Sequence, residues 1–398
     1  MKMEILDSPG CPGFSAAGVA AGLKKKAGVP DLGLIVCDAP AAAAGVFTKN
    51  VVQAAPVLLD RERVASGRCR AVLANSGCAN CCTGQAGMDA ARESSAAVAR
   101  ALGVGEEEVL LASTGVIGLP LNAVKVATAV PGLATALSPD GFPDFARAIM
   151  TTDTVPKLRA VRVFATSGPI TVLGVVKGSG MIRPDMATML GFLCTDARVS
   201  PAALKDILVQ GADQSFNRLT VDGDTSTNDT LLFLASGRSP VPEREALGLL
   251  SEAAFFLMRE LALDMARDGE GATKLVIIKV RGCENGQAAR QVADTIANSP
   301  LVKTAFFGED ANWGRILAAA GRAGVPFDPS KTAIFFDDAQ MVARGFGLGP
   351  EAEAAATLVL KKPEYTVTVD LGNGPGQAEA FTCDISLDYV RINADYRS

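Results

Sequence analysis

The order in which short apolar runs and helical patterns follow one another constrains this chain more than any other feature. Residues 31–38, 69–75 and 108–113 are β-branched or Leu-rich runs closed by small or polar clusters, the pattern of half-buried strands. Helical spacing fills the gaps at 87–102, 122–137 and 144–150; in the first, Ala90, Ala97, Val98 and Leu102 share a face while Arg92, Glu93 and Arg100 are left for water. A hairpin follows, with arms at 158–165 and 170–177 around a Thr-Ser-Gly-Pro turn. The second half repeats the mixture without repeating the sequence. Helices are expected at 201–217, with Ser200 as N-cap, and at 243–267, where Leu247, Leu250, Ala254, Leu257 and Leu261 line one face. Further helices fit 286–297 and 312–321, and strands fit 229–235, 274–280, 332–337, 365–370 and 380–392. Such alternation predicts a layered α/β or α+β fold. With 40 Gly and 21 Pro in 398 residues, turns are too frequent for a helical bundle, and the length suits two to three domains.

Histidine is absent, and that narrows the chemistry. Ser-His-Asp and Cys-His catalysis and His-ligated zinc are excluded, so acid-base work falls to a carboxylate, Lys, Tyr, Cys or an α-amino group. Of nine cysteines, Cys11, Cys37, Cys69, Cys194, Cys283 and Cys383 are scattered. Cys78, Cys81 and Cys82 form one C-x2-C without a second pair, so they read as small core residues and no metal is expected. A net charge of −5 with mixed signs speaks against a nucleic-acid groove. The first residues lack the apolar run of a signal peptide, and no stretch has the roughly 18 apolar residues of a membrane span. A cytoplasmic protein is expected.

Several segments are candidate sites. The stretch Lys177-Gly-Ser-Gly-Met-Ile-Arg-Pro-Asp-Met-Ala-Thr-Met-Leu190 combines glycines and a proline that fix unusual backbone shapes. Alone it reads as a surface turn. In a chain without His, however, a Thr exposed as a new amino terminus carries its own base, an amine with a pKa of about 7.7–8.0. In Leu111-Ala-Ser-Thr-Gly-Val-Ile-Gly118, the Thr114 hydroxyl and the Gly115 amide are suited to donate to an oxyanion. The segment from Asp222 to Asp229 is oxygen-rich but lacks calcium-loop spacing, and reads as a self-capped turn. Glu270 is expected near the end of the long helix, exposed and able to hold a substrate ammonium. Glycine clusters at 269–274, 345–349 and 372–376 fit neither dinucleotide nor P-loop spacing, and Trp313 reads as a packing residue.

Taken together, these segments resemble a known family. The 177–190 stretch is similar to the self-cleavage site of the ornithine acetyltransferases, or glutamate N-acetyltransferases, of arginine biosynthesis (the ArgJ family). The resemblance extends to Gly45-Val-Phe-Thr-Lys49, Ala74-Asn-Ser-Gly77, Ser113-Thr-Gly-Val-Ile-Gly118, Thr151-Thr-Asp153, Val221 to Asp229, Asp268-Gly-Glu-Gly-Ala-Thr-Lys274, Asn312-Trp-Gly-Arg-Ile316 and Tyr389-Val-Arg-Ile-Asn393 through Ser398. Asp185 departs from it, standing where the family generally has Asn, and Cys78 and Cys81 replace Asn and Ala.

The resemblance implies an α/β/β/α-like sandwich similar to N-terminal nucleophile enzymes. It also implies autocleavage between Ala187 and Thr188 into an alpha chain, 1–187, and a beta chain, 188–398, assembled as an α2β2 heterotetramer. Thr188 would be the nucleophile, Thr114 and Gly115 the oxyanion hole, and Thr151, Lys177, Thr188, Glu270, Asn393 and Ser398 the substrate-binding set, with the chain ending in an ordered strand. The implied reaction moves acetyl from N2-acetylornithine to glutamate by double displacement through acetyl-Thr188. No metal or organic cofactor is needed; acetyl-CoA as a further donor stays open. A self-processed amidohydrolase or aminopeptidase, and a silent binding protein, are the alternatives.

Overall fold

The computed structural model describes residues 2–183 and 189–395, and these divide into two compact units: 2–178, 189–217 and 225–261, and 179–183, 218–224 and 262–395. In the first unit the strands are β1 (Met3–Ile5), β2 (Phe14–Val19), β3 (Leu32–Phe47), β4 (Arg68–Asn75), β5 (Val109–Ser113), β6 (Lys157–Ala165), β7 (Gly168–Lys177), β8 (Leu190–Thr195) and β9 (Thr230–Ala235). Its helices are α1 (Ala55–Arg63), α2 (Gly84–Leu102), α3 (Ala123–Thr135), α4 (Phe142–Ile149), α5 (Pro201–Gln214) and most of α6 (Glu243–Arg267).

The nine strands form one sheet, ordered β1-β6-β7-β8-β9-β3-β4-β5, with β2 added to β3. β3 is the joint. It pairs with β4 from Leu32 to Val36 and, after a register shift, again at Ala41 and Ala42, where its pairing with β9 begins and runs on to Phe47. Strand side chains alternate between faces, and the two faces here have different partners. Ile35, Val72, Ala74, Leu110 and Ala112 share one apolar core with Leu173, Val175, Phe192, Cys194, Leu232 and Leu234, so the two halves of the sheet face each other. Phe145 of α4 seals that core edge-on against Phe192, with centroids 5.2 Å apart. The opposite faces are covered by helices. Leu32, Leu34, Leu73, Val109 and Leu111 pack against α1, α2 and α3. On the other side, Gly174 lets α6 approach so closely that a Cβ there would lie 2.6 Å from Leu261. α5 packs against β3 and β9. The first unit is therefore an α/β/β/α sandwich, as the family resemblance implies.

The second unit contains β10 (Leu275–Cys283), α7 (Gly286–Ala297), α8 (Pro300–Phe307), α9 (Trp313–Gly321), β11 (Ala333–Phe336), β12 (Ala339–Ala343), β13 (Phe346–Gly347), α10 (Pro350–Leu360), β14 (Glu364–Asp370), β15 (Gly376–Cys383) and α11 (Leu387–Ala394). Its six strands run β13-β12-β11-β14-β10-β15, and Val276, Ile278, Val280, Val367 and Val369 pack on α7, α9 and α10. Trp313 packs against this core and lies over Gly347, in keeping with a packing role.

One expected element is wrong. Residues 380–392 do not form a single strand: β15 ends at Cys383 and α11 begins at Leu387. Ser386 accepts hydrogen bonds from the Asp388 and Tyr389 amides, which caps a helix and ends the extended run. The last described element is thus a helix, not the ordered strand that was expected. Among the described residues no helix is long and apolar enough to cross a membrane.

Candidate active site

In the first unit the site is built at strand ends. β5 delivers its chain into the turn that carries Thr114 and Gly115, and that turn is bonded to residues 75–79: the Thr114 amide donates to Asn75 O (3.0 Å), and Cys78 bridges to both Thr114 and Val116. Gly115 has φ +130°, and a Cβ there would lie 2.4 Å from the Gly77 carbonyl carbon. Only glycine fits this approach. A buried polar set fixes the turn from behind. Ser113 Oγ donates to Asn75 Oδ1 (2.6 Å), Asn75 Nδ2 to Cys78 O (2.9 Å), and Asn228 Nδ2 to both Ser113 O (2.8 Å) and Ala79 O (2.7 Å). Among the described residues the Gly115 amide donates to no other protein group.

Lys177, the last residue of β7, is 4% exposed, and its ammonium donates to Thr151 Oγ1 (2.8 Å) and Thr114 Oγ1 (3.3 Å). A threonine hydroxyl that accepts from Lys177 keeps its own proton to give. The geometry thus brings together Thr114, Gly115, Thr151 and Lys177. Asp153 organises them. Its carboxylate accepts from Lys157 Nζ (2.7 Å), the Gly178 amide (2.7 Å) and the Thr151 amide (3.1 Å), and lies 3.7 Å from Lys177 Nζ. Burial alone pushes this carboxyl up, but the Lys177 and Lys157 ammoniums outweigh it and hold the group ionised well below the usual carboxylate range.

The second unit holds Glu270 and Asn393. Glu270 is buried, contrary to the exposed position expected for it, because residues 179–183 lie across it: its amide donates to Ser179 O (2.8 Å), and a Cβ on Gly180 would lie 2.3 Å from its carboxyl carbon. Asn393 Nδ2 donates to Glu270 Oε2 (2.8 Å) from α11.

Ala187, Thr188 and Ser398 lie outside the described residues. The chain on either side of 184–188 is held by the oxygen-rich segment. Asp222 accepts from the Met181 (2.6 Å) and Ile182 (2.9 Å) amides in the second unit, and Asp229 accepts from the Met189 amide (3.0 Å) in the first. Burial pushes both carboxyls up, and among the described residues Asp229 Oδ2 is buried without a hydrogen-bond partner. The segment is also self-capped as expected, through Asp224 N on Asp222 and Asn228 N on Ser226. Of the grouped cysteines, Cys78 and Cys81 are core residues, while Cys82 is exposed. Sequence reasoning gave no role to Asn75, Asp153, Asn228 or Asp229, although each lies in a segment that carries the family resemblance, and it passed over Lys157. Asp153 also had a local signal, a Lys four residues on.

The first unit is thus a four-layer α/β/β/α sandwich in which a threonine hydroxyl and a glycine amide without a protein acceptor among the described residues lie beside a buried ammonium. The family model described as the ArgJ family matches residues 15–398. The arginine biosynthesis bifunctional protein ArgJ of Syntrophotalea carbinolica is 51% identical over 390 residues, covering 97% of this chain and 99% of that protein. Its counterpart in Geobacter sulfurreducens is 50% identical over 392 residues, with 97% and 99% covered. A solved ornithine acetyltransferase from Mycobacterium tuberculosis, complexed with ornithine, is 39% identical with a TM-score of 0.43, covering 48% of this chain and 100% of that one. The chain belongs to the ArgJ family.

Proposed function

We propose that the protein transfers the acetyl group of N2-acetylornithine to glutamate, giving ornithine and N-acetylglutamate, after cutting itself between Ala187 and Thr188. The single observation that carries this reading is the Thr114–Gly115 turn with Lys177 behind it, found in a chain that has no histidine and belongs to this family. Thr188 Oγ attacks the acetyl carbonyl while its α-amine takes the hydroxyl proton. The Thr114 hydroxyl and Gly115 amide stabilise the oxyanion, and the amine returns the proton to the departing ornithine nitrogen. Glutamate's amine then attacks acetyl-Thr188, passing a proton to the Thr188 α-amine, and as the C–O bond to Thr188 breaks the amine returns that proton to Oγ. Thr151, Lys177, Glu270, Asn393 and Ser398 bind substrate. No cofactor is required, and the reading places the enzyme in the cytoplasm as an α2β2 assembly.

Incubation with N2-acetylornithine in the presence and absence of glutamate tests it. N-acetylglutamate formed only with glutamate is the expected result; acetate released equally without it would mark a hydrolase. Thr188→Ala should remain one chain and be inactive. Replacing N2-acetylornithine by acetyl-CoA shows whether a second donor is accepted.

A further inference from the structure

The loop between β2 and β3 brings another cation to this site. Buried Asp31 accepts from the Ala21 (2.6 Å), Leu23 (2.5 Å) and Lys24 (2.9 Å) amides, folding 21–24 into a tight cup. The Asp31 carbonyl accepts from the Ser76 amide (2.9 Å), which ties the cup to the 75–78 loop. Gly77, with φ +96°, lies directly beneath it: a Cβ there would be 3.1 Å from Lys24 Cγ and 3.1 Å from Leu23 O. Gly77 in turn is the residue against which Gly115 packs. The Lys24 stem therefore lies over Gly77, the residue whose backbone contacts Gly115, on the loop that supports the Thr114–Gly115 turn.

The Lys24 ammonium donates to Pro30 O (2.9 Å), which leaves two N–H groups. Among the described residues it forms no salt bridge within 4.0 Å; Asp31, which accepts from the Lys24 amide, acts on it only from farther off. Burial lowers its pKa, Asp31 opposes that, and Lys177 is close enough to lower it further. Two ammoniums are thus close to one another, with Asp31 acting on Lys24 and Asp153 on both.

We propose that Lys24 is a substrate-binding residue that anchors the α-carboxylate shared by N2-acetylornithine, ornithine and glutamate. This rests on the reading above for the identity of the substrates. In an Nα-acetyl amino acid the carboxylate sits on the carbon bonded to the scissile nitrogen, so an acetyl oxygen at Thr114 and Gly115 brings it next to that turn. The side-chain ends, positive in ornithine and negative in glutamate, are several carbons away. A cation beside the turn therefore serves the group both substrates possess.

Calorimetry with ornithine and with 1,4-diaminobutane, which lacks only the carboxylate, tests this on the mature enzyme without requiring turnover. The wild type should bind ornithine more tightly, and Lys24→Met should reduce that preference by about 10–100-fold, the effect of losing one charge-assisted bond. Lys24→Arg should restore much of it and guards against misfolding of the Met variant. An undiminished preference in Lys24→Met, or no preference in the wild type, overturns the anchor. Failure of acetyl transfer in a wild type that still shows the Lys24-dependent preference overturns only the reaction assigned above. With turnover intact, Lys24→Met should raise KM for N2-acetylornithine and glutamate alike; an effect on glutamate alone also overturns the shared anchor.

Discussion

Asp153 shows how a residue outside the proposed chemistry governs it. Two ammoniums and two amides converge on one buried carboxylate, so removing its charge takes from Lys157 and Lys177 the buried carboxylate they share. Asp153→Asn should destabilise the protein by about 3–5 kcal/mol, measured by denaturant unfolding. Because its folded-state pKa lies below the unfolded value of about 3.9, Asp153 contributes stability above that pH and loses it as pH falls further. The wild-type melting temperature should accordingly drop more steeply below about pH 4 than that of the variant; parallel curves would refute the linkage. Thr114 and Glu270 should separate kinetically. Thr114 is proposed to act on charge present only in the transition state, so Thr114→Val should lower kcat by on the order of 10²-fold. Glu270 is assigned to ground-state binding, so Glu270→Gln should raise KM for N2-acetylornithine by about 10–100-fold with kcat little changed. Both must be measured on cleaved enzyme, and the opposite pattern would reverse the two roles.

At the scale of elements, α11 decides where Asn393 goes. Ser386 caps it and also donates to Gly271 O (2.5 Å), while Gly271, at φ +67°, leaves a space in which a Cβ would lie 2.4 Å from the Tyr389 amide. Ser386→Ala should cost about 1 kcal/mol in thermal or denaturant stability, and by loosening Asn393 from Glu270 should raise KM while sparing kcat. Unchanged KM would mean that the helix is held by other contacts. The sequence concealed this helix because Ile385, Leu387 and Tyr389 alternate with polar residues as a strand would, and the cap that decides otherwise is one hydroxyl. The second half of β3 was equally obscure: the Ala-rich stretch 41–44 has no β-branched residue, and its extended form comes from pairing with β9. By contrast, β4 and α2 could be read locally, since apolar periodicity alone sets their buried faces. The site divides the same way. Thr114 and Gly115 announce themselves in a small-residue turn after a strand, whereas Asp153 meets Lys177 across 24 positions and Asn228 reaches Ser113 across 115, contacts that no local spacing encodes.

The whole molecule must survive the cut it is proposed to make. A break between Ala187 and Thr188 leaves fragments of 187 and 211 residues, and the nine-stranded sheet does not respect that division. β8 and β9 belong to the second fragment, yet β8 is bonded to β7 of the first from Lys177 opposite Leu190 to Val172 opposite Thr195. β9 is bonded to β3 of the first from Phe47 opposite Thr230 to Ala42 opposite Ala235. The core between the sheet halves is likewise shared, with Phe192 and Leu232 on one side of the cut and Ile35 and Leu173 on the other. Separating the fragments would expose that core and two central strand edges, a cost comparable to unfolding the sandwich. Mature enzyme should therefore run as bands of roughly 19 and 22 kDa on a denaturing gel, while native size-exclusion chromatography should elute both in one peak. Moderate denaturant should release them in the same transition in which sheet ellipticity is lost. Fragments that part on a native column with their secondary structure intact would show that the shared sheet is not what joins them.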